Sequence, residues 1–393
     1  LLDDIIGPIG HQVFFDEFFE KKPLLQRAGS RLTDMFSLAD FDRYLIAGEG
    51  MLQDLVRITH DGNAVFVPSY LGQATTQRAF ILEQFTAGAT LKLEDLNFRH
   101  GKISKLCKKL EEVFGGYVFA KPFLTGVNFS GLEVHFDTTE VFVIQLEGRK
   151  EWSVWNKIIE NPTHPLQQNL KDVDLGSPVI KAVLEPGDLL YIPAGAPHSA
   201  KCLNDYSLHM SIGLEPTKMF EVIEGYLRLM AEQVAELRQN IYPFTNLAES
   251  DKNGKLLIER ISKTRFRDML ADFEIAYNAT KHEVCDSRLA TIASSHTINE
   301  STKLQVRPSA NLKTRRSDDV IAVYYSSTQS PRKSLISTPS NMTLPDYCQE
   351  EINALCNMGE NSFTPAQLPG KLNTESKVLL CQEMSKVGIL ILI

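Results

Sequence analysis

The chain has no apolar run approaching the roughly 20 residues that a membrane-spanning helix needs, no Cys-x-x-Cys pair and no surplus of positive charge. The first absence excludes a membrane partner held by a spanning helix. The second leaves the six cysteines (Cys107, Cys202, Cys285, Cys348, Cys356, Cys381) to be read as buried free thiols in a reducing cytoplasm. The third, a net charge of −8, argues against nucleic-acid binding through overall charge. The opening Leu1-Leu2-Asp3-Asp4 lacks the basic n-region of a secretory signal. It also lacks Met, which leaves room for a native start upstream. No repeat of solenoid period is present.

What is there fits a globular protein: 393 residues, 43% apolar and 23% charged, enough for two or three domains. Residues 1 to about 115 read as mostly helical. Phe14, Phe15, Phe18 and Phe19 fall at helical spacing as a core stripe. Ser37 caps another helix, and Asp95–Val113 is a third, with Lys102, Lys105, Lys108 and Lys109 as a solvated basic face. From Tyr117 to Leu214 short β-rich runs alternate with Gly and Pro turns. They are Tyr117–Thr125, Thr139–Leu146, Glu151–Trp155, Val179–Leu184, Asp188–Ile192 and Ser207–Leu214. Several strands so close together predict a sandwich or barrel, an antiparallel double-sheet jelly roll being the natural candidate.

After Pro216 the pattern turns helical again, with Met219–Gln239 strongly amphipathic and a second helical patch over Lys255–Thr280. Residues 281–317 are polar and read as loop-rich. Val320–Tyr325 is a strand, Asp346–Cys356 a helix, and Thr374 caps a helix over Glu375–Val387 that Gly388 ends. Ile389–Ile393 closes as a strand. Helix, helix, strand at this length predicts a winged-helix module. Its second helix offers only Lys377, Gln382 and Lys386 for reading bases. The basic group Lys313, Arg315 and Arg316 is therefore read as part of a scaffold or protein contact, and no DNA binding is expected.

The chemistry concentrates in two places. His135-Phe136-Asp137 puts an imidazole and a carboxylate at i and i+2, on one face of a strand. His198 ends the string Glu185-Pro-Gly-Asp-Leu-Leu-Tyr-Ile-Pro-Ala-Gly-Ala-Pro-His198, whose Pro and Gly fix a tight loop. Two imidazoles and one carboxylate cover one face of a metal and leave positions open. That suits a non-heme iron(II) oxygenase, although manganese, zinc and nickel accept the same donors. Lys150 follows, sharing a strand face with Trp152. It reads as a strand-end surface lysine or as a cation for a co-substrate carboxylate. Thr125 reads as a core or turn residue or as a hydroxyl donor to that carboxylate. His209 shares a face with Ser207 and reads as a hydrogen-bonded barrel histidine or a pocket contact. His11, His60, His100, His164, His282 and His296 read as surface or loop residues.

These motifs together resemble the JmjC/cupin-like 2-oxoglutarate oxygenases, specifically the ribosomal oxygenase branch. The resemblance is carried by His135-x-Asp137, by Glu140-Val-Phe-Val-Ile-Gln-Leu-Glu-Gly-x-Lys150-x-Trp152, by the Pro186–His198 string and by Ser207-Leu-His-Met. Phe15-Asp-Glu-Phe-Phe-Glu-Lys-Lys-Pro-Leu-Leu is similar to that family's N-terminal signature, and Phe363-Thr-x-x-x-Leu-Pro with Glu375-Ser-Lys to its C-terminal winged helix. The resemblance implies an α+β fold with a double-stranded β-helix (jelly-roll) core, N-terminal helices, a helical middle region and a C-terminal winged helix. The expected divisions are 1–215, 216–305 and 306–393. It implies His135, Asp137 and His198 as ligands of iron(II), Lys150 as the 2-oxoglutarate anchor, and oxygen as the second co-substrate. A lysine at 150 resembles the histidyl-hydroxylating members. Lys121 stands where relatives often carry Asn facing the co-substrate, so it either alters the pocket or points outward. Val127–Glu133 is also a departure from the family pattern.

The expected function is hydroxylation of a protein side chain, with a ribosomal protein as candidate partner, by a cytoplasmic homodimer. A hydroxylase of a small molecule or biosynthetic peptide, and a non-enzymatic cupin-like metal- or partner-binding module, are the alternatives.

Overall fold

Strict alternation of burial from Tyr117 to Leu124 sets the plan of the first half of the molecule. Val118, Ala120, Pro122 and Leu124 are buried on one face, while Tyr117, Phe119, Lys121 and Phe123 on the other are half-buried. A strand with two such faces separates a packed core from a cavity. In a computed structural model of the chain, residues 5–27, 32–69, 71, 75–126, 132–163, 170, 172–240, 247–278, 288–307, 310–326 and 340–393 are described. They fall into two compact units, Leu1–Pro216 and Thr217–Ile393.

The first unit is built on one nine-stranded sheet. Its strands are β1 (Leu24–Gln26), β2 (Val56–His60), β3 (Asn63–Val65), β4 (Thr90–Leu93), β5 (Tyr117–Thr125), β6 (Glu140–Val154), β7 (Ile180–Leu184), β8 (Leu189–Ile192) and β9 (His198–Glu215). The order is β1-β8-β6-β9-β5-β4-β2-β3, with β7 also paired to β6 and every pairing antiparallel. This mixed α and β architecture with a large antiparallel sheet is consistent with a jelly-roll core.

Two expectations need correction and one an addition. Helices dominate residues 1–115, as expected, but β1 to β4 also lie there. They are three to five residues long, too short for an alternating pattern to stand out, and they form by adding to existing sheet edges. The runs Thr139–Leu146 and Glu151–Trp155 are one strand, β6, carried through two register shifts, between Gln145 and Glu147 and between Gly148 and Lys150. Likewise β9 starts at His198, well before the expected Ser207. In the phenylalanine segment, His11–Phe18 is helical. Only Phe14 is fully buried, with its ring 5.0 Å from that of Tyr191 and 5.5 Å from that of Phe142. Phe15, Phe18 and Phe19 are partly buried against the same cluster. Ser37 caps Leu38–Ala47 through a reciprocal bond with Asp40.

In the second unit, the helix expected over Met219–Gln239 ends at Gln233 and resumes as a 3-10 turn, Ala235–Arg238, because Val234 adopts extended backbone. The Lys255–Thr280 patch is two helices, Leu247–Lys263 and Phe266–Asn278. The stretch 281–317 is not loop throughout. It contains the helix Arg288–Ser294 and the strands β10 (Leu304–Val306) and β11 (Lys313–Ser317). Strands β11, β12 (Val320–Tyr325) and β13 (Ser340–Pro345) form one sheet. Strands β14 (Ser362–Phe363), β10 and β15 (Leu390–Leu392) form another. Asn373, not Thr374, caps the helix Thr374–Lys386. The hydrophobic cluster of this part reaches back to Ile298 and Leu304, so β10 runs across the division expected at 305/306. Lys313, Arg315 and Arg316 are ion-paired to Glu274, Asp272 and Asp346. Cys356 is exposed, whereas Cys107, Cys202, Cys348 and Cys381 are buried free thiols. Cys285, His164 and His282 lie outside the described residues, as does most of Val127–Glu133.

The bend in β6 depends on Gly148. Its φ is +65°, and a Cβ there would stand 1.8 Å from the Tyr206 carbonyl oxygen of β9. Both the left-handed backbone and the close approach exclude a side chain. Gly148→Ala is expected to lower stability by at least about 2 kcal/mol, read as a fall in thermal midpoint; a melting curve matching wild type would show that the strands separate freely here.

Candidate metal and co-substrate site

His135 and Asp137 do not lie on a regular strand, contrary to expectation. The chain around them is extended but makes a single bridge, His135 to His198. Two backbone hydrogen bonds form it: His135 N donates to the His198 carbonyl (3.2 Å), and His198 N to that of His135 (2.8 Å). Gly195 N donates to the Asp137 carbonyl at 2.9 Å. The two ligand-bearing arms are therefore stapled at the backbone, and alternation still sends His135 and Asp137 one way while Phe136 is buried the other way. Glu140, at the start of β6, tightens the loop further. Its carboxylate accepts from Ala194 N at 3.2 Å and from the Tyr191 hydroxyl, which itself accepts from Glu20 N at 2.9 Å.

The three side chains converge. His135 Nε2 lies 3.8 Å from Asp137 Oδ1, and His198 Nε2 lies 3.6 Å from Asp137 Oδ2. All three candidate donor atoms fall within 4.8 Å of one another. The Nδ1 atoms settle the tautomers. That of His135 sits 2.7 Å from the Glu133 carbonyl oxygen and that of His198 3.1 Å from the Ala196 carbonyl oxygen. A carbonyl only accepts, so each Nδ1 carries the proton and each Nε2 presents its lone pair to the centre. Outer hydrogen bonds of this kind orient histidines that bind metal. Burial, reinforced by the neighbouring His135, pulls the His198 imidazole down to about 4, with Asp137 opposing. A neutral imidazole is the form that ligates. The donor set thus fits a divalent metal with open coordination positions.

Lys150, His209 and Trp152 line the same cavity of about 680 Å³ as the three donors. Lys150 is not a surface lysine. It is 3% exposed, and among the described residues its ammonium donates one hydrogen bond, to Thr125 Oγ1 at 3.0 Å. Thr125 is wholly buried at the end of β5, with Thr90 Oγ1 3.1 Å away. The β6 irregularities bring Lys150 to this depth, a use of bulges that re-aims a side chain. His209, on β9, sits between β5 and β6. It stacks on Phe123 with ring centroids 5.0 Å apart and meets Trp152 edge-on at 5.4 Å. Its Nδ1 and the Trp152 Nε1 are buried without a hydrogen-bond partner among the described residues. Burial, then the charge on Lys150, holds His209 well below the usual imidazole range, so it is neutral. His100 is more than a loop residue: its ring accepts from Ile103 N and caps the helix Gly101–Phe114.

Sequence reasoning did not place Thr90, Lys92 and Phe123 in the cavity wall. The alternation Thr90-Leu-Lys-Leu-Glu94, with polar residues at every second position, was the available signal.

Residues 95–222 match the JmjC domain model. The chain carries a JmjC domain. Human ribosomal oxygenase 1 is 33% identical over 247 residues, which is 60% of this chain and 38% of that protein. The zebrafish (Danio rerio) ribosomal oxygenase 1 is 30% identical over 250 residues, 60% of this chain and 45% of its own length. A Dictyostelium discoideum protein, bifunctional lysine-specific demethylase and histidyl-hydroxylase NO66, is 25% identical over 353 residues, 81% of this chain and 67% of that protein. The chain thus spans less than half the length of the first curated relatives it matches. Among solved structures, the Escherichia coli ribosomal oxygenase YcfD in complex with cobalt and 2-oxoglutarate superposes with a TM-score of 0.57 at 18% identity, covering 96% of both chains. Another crystal structure of that protein gives 0.58 over 98% of both. The JmjC domain contains His135, Asp137, Lys150, His198 and His209.

Burial carries a stability consequence that is separable from activity. The Lys150 ammonium is pulled from its ordinary 10.5 down to about 8 by desolvation, with Cys202 opposing slightly. Between about pH 8 and 10.5 the unfolded chain therefore binds more protons at this residue, and its contribution makes the fold more stable as pH rises. Below about pH 8 the penalty is constant. Lys150→Met is expected to be more stable than wild type by about 3 kcal/mol at pH 7, with the gap closing toward pH 10.5 in denaturant titrations. A gap that does not change with pH would contradict a buried charged lysine.

Proposed function

We propose that this protein is an iron(II)- and 2-oxoglutarate-dependent dioxygenase that hydroxylates a side chain of a protein substrate, with a ribosomal protein as the first candidate. One observation carries the reading. A two-histidine, one-carboxylate donor set and a deeply buried ammonium line one cavity inside a JmjC domain. A structural metal site would have no use for Lys150, and a burial this complete is costly for a cation that never meets an anion.

In this reading His135 Nε2, His198 Nε2 and a carboxylate oxygen of Asp137 hold the metal. Lys150 pairs with the distal carboxylate of 2-oxoglutarate, and the Thr125 hydroxyl orients the ammonium from behind. His209 Nδ1 and Trp152 Nε1 give the co-substrate end of the cavity two further polar atoms, and Phe123 closes it against water. When bound, iron(II) with 2-oxoglutarate and oxygen supplies the oxidising chemistry, in which the 2-oxoglutarate is decarboxylated to succinate. The protein's part is to position the substrate C–H bond and to keep bulk water from the cavity. Fixed backbone staples between the two ligand arms serve that positioning.

The names of the relatives support a ribosomal substrate. The lysine at 150 favours histidyl hydroxylation. The exposed Met219, Phe220 and Ile258 on the helices that follow Pro216 support a homodimer contact within 216–305. Residues 306–393, with the strand and helix that precede them, are assigned a winged-helix-like role in protein contact. Pairing of Lys313, Arg315 and Arg316 with carboxylates of their own unit supports that assignment over DNA binding. The cytoplasm is the proposed location, and no described helix is long and apolar enough to cross a membrane.

Anaerobically iron-loaded protein given 2-oxoglutarate and oxygen is expected to form succinate, and His135→Ala to lose this turnover. Calorimetry of 2-oxoglutarate binding to the manganese-loaded protein provides a second readout. Because the ammonium must be charged to pair, affinity is expected to fall above about pH 8, approaching tenfold per pH unit. Lys150→Met should abolish the pH dependence along with most of the affinity. Wild-type protein that neither turns over nor binds 2-oxoglutarate would move the metal- or partner-binding module into first place.

A further inference from the structure

The cavity has a second cationic rung, distinct from Lys150. Lys92 on β4 and Lys121 on β5 both line it, each side chain about a quarter exposed at 27%. They lie on adjacent antiparallel strands, Lys92 opposite Phe123 and Lys121 opposite Ser211. Glu94 joins them, 2.8 Å from the Lys92 ammonium and 3.0 Å from that of Lys121. Glu94 is the more buried partner at 16% and does not line the cavity. Its backbone N is bonded to the Leu55 carbonyl at 2.8 Å, which fixes it behind the rung. Burial pushes the Glu94 carboxyl up, but the two ammoniums outweigh this and hold it below the ordinary value, so it is charged.

The rung therefore carries two positive charges and one negative, with the positive ones on the cavity side. Each ammonium has three donors, and Glu94 engages one from each. The aromatic wall adds direction. Lys121 lies 4.6 Å over the Phe119 ring and Lys92 5.8 Å over that of Phe123. Phe119 in turn fills the space a side chain at residue 213 would need, since a Cβ on Gly213 would come 2.1 Å from its ring. Such contacts hold the two ammoniums against one wall instead of letting them swing into solvent. A pre-positioned pair of lysines with a spare charge is a site for one carboxylate.

The geometry points to a substrate-specificity site: Lys92 and Lys121 take a carboxylate of the peptide whose side chain is hydroxylated, while Glu94 bridges the two ammoniums from behind. The substrate class is thus a peptide with an acidic side chain, or a free C-terminus, close in sequence to the modified residue. This rests on the oxygenase reading, because it assigns Lys150 to the co-substrate and leaves this rung to the substrate. It also runs against the simplest electrostatic expectation, that a chain of net charge −8 selects wholly basic peptides.

The test is fluorescence anisotropy with manganese-loaded protein saturated with 2-oxoglutarate under nitrogen. The probes are labelled peptides with a central His flanked by Glu, by Gln or by Lys, each with a free or an amidated C-terminus. Wild type should bind the Glu-flanked peptide, or the free-acid form, about fivefold or more tighter than its neutral match. The first pattern identifies a side-chain carboxylate and the second a chain end. Lys121→Gln and Lys92→Gln should each remove the preference, Lys121→Arg should keep it, and Glu94→Gln should strengthen it. Unchanged preference in the Gln variants, tighter binding of Lys-flanked peptides by wild type, or no binding of any acidic peptide would overturn the assignment. Calorimetry with 2-oxoglutarate on the same preparations separates the two ideas. Intact co-substrate binding without a carboxylate preference sinks the rung alone, and loss of co-substrate binding in wild type sinks the oxygenase reading.

Discussion

The antiparallel ladder between Glu140–Val154 and His198–Glu215 is the constraint from which the rest of the first unit follows. Its pairing runs from Glu140 opposite Leu214 to Val154 opposite His198, through two register shifts. One end carries His198 into the donor set, the middle carries Lys150, and the other half carries His209. These groups are far apart in sequence and need no contact among themselves to be placed, because a ladder of backbone bonds fixes their spacing. The cost of that precision appears at Gly148, where the strands close to a distance only a glycine allows. A uniform ladder would have kept every side chain in simple alternation. The shifts let one strand bury apolar residues on both faces and still turn an ammonium inward.

Electrostatics in the cavity is layered. Two imidazoles and one carboxylate sit at the donor set, a lone buried ammonium lies beside Thr125, and the mixed rung of Lys92, Glu94 and Lys121 lies on the β4–β5 wall. Each layer is held by a different device: outer carbonyl bonds for the histidines, a single hydroxyl for Lys150, and an internal counter-ion for the rung. Lys150 is thereby kept on its own partner, Thr125, while Lys92 and Lys121 share Glu94. That separation matters in a low-dielectric interior, where unscreened repulsion would be large.

Much of the donor set could be read from sequence because it depends on residue types at short, fixed spacing. His135 and Asp137 differ by two positions, and a loop rich in Pro and Gly leads to His198. The depth of Lys150 could not be read this way, since nothing local distinguishes a strand-end lysine from one turned inward by a register shift. The β4–β5 rung was harder still. It joins residues 92, 94 and 121 across two strands, and β4 is only four residues long. Strands that exist by adding to a sheet edge owe their form to the neighbour, so β1 to β3 left little trace in local pattern and β4 only the brief alternation from Thr90 to Glu94. The reverse error occurred at Val234, where a continuous amphipathic pattern hid a break in backbone conformation.

Tyr191 joins two parts of the molecule that sequence keeps far apart. Its hydroxyl accepts from the Glu20 backbone N–H and donates to Glu140, the carboxylate that accepts from Ala194 N. Its ring also packs on Phe14. The segment from Phe14 to Glu20 is thus a wedge behind the loop that ends in His198. Order in that wedge and closure of the loop are two readings of one equilibrium, so whatever loosens the N-terminal arm will be felt, through a single phenol, as slack at the donor set.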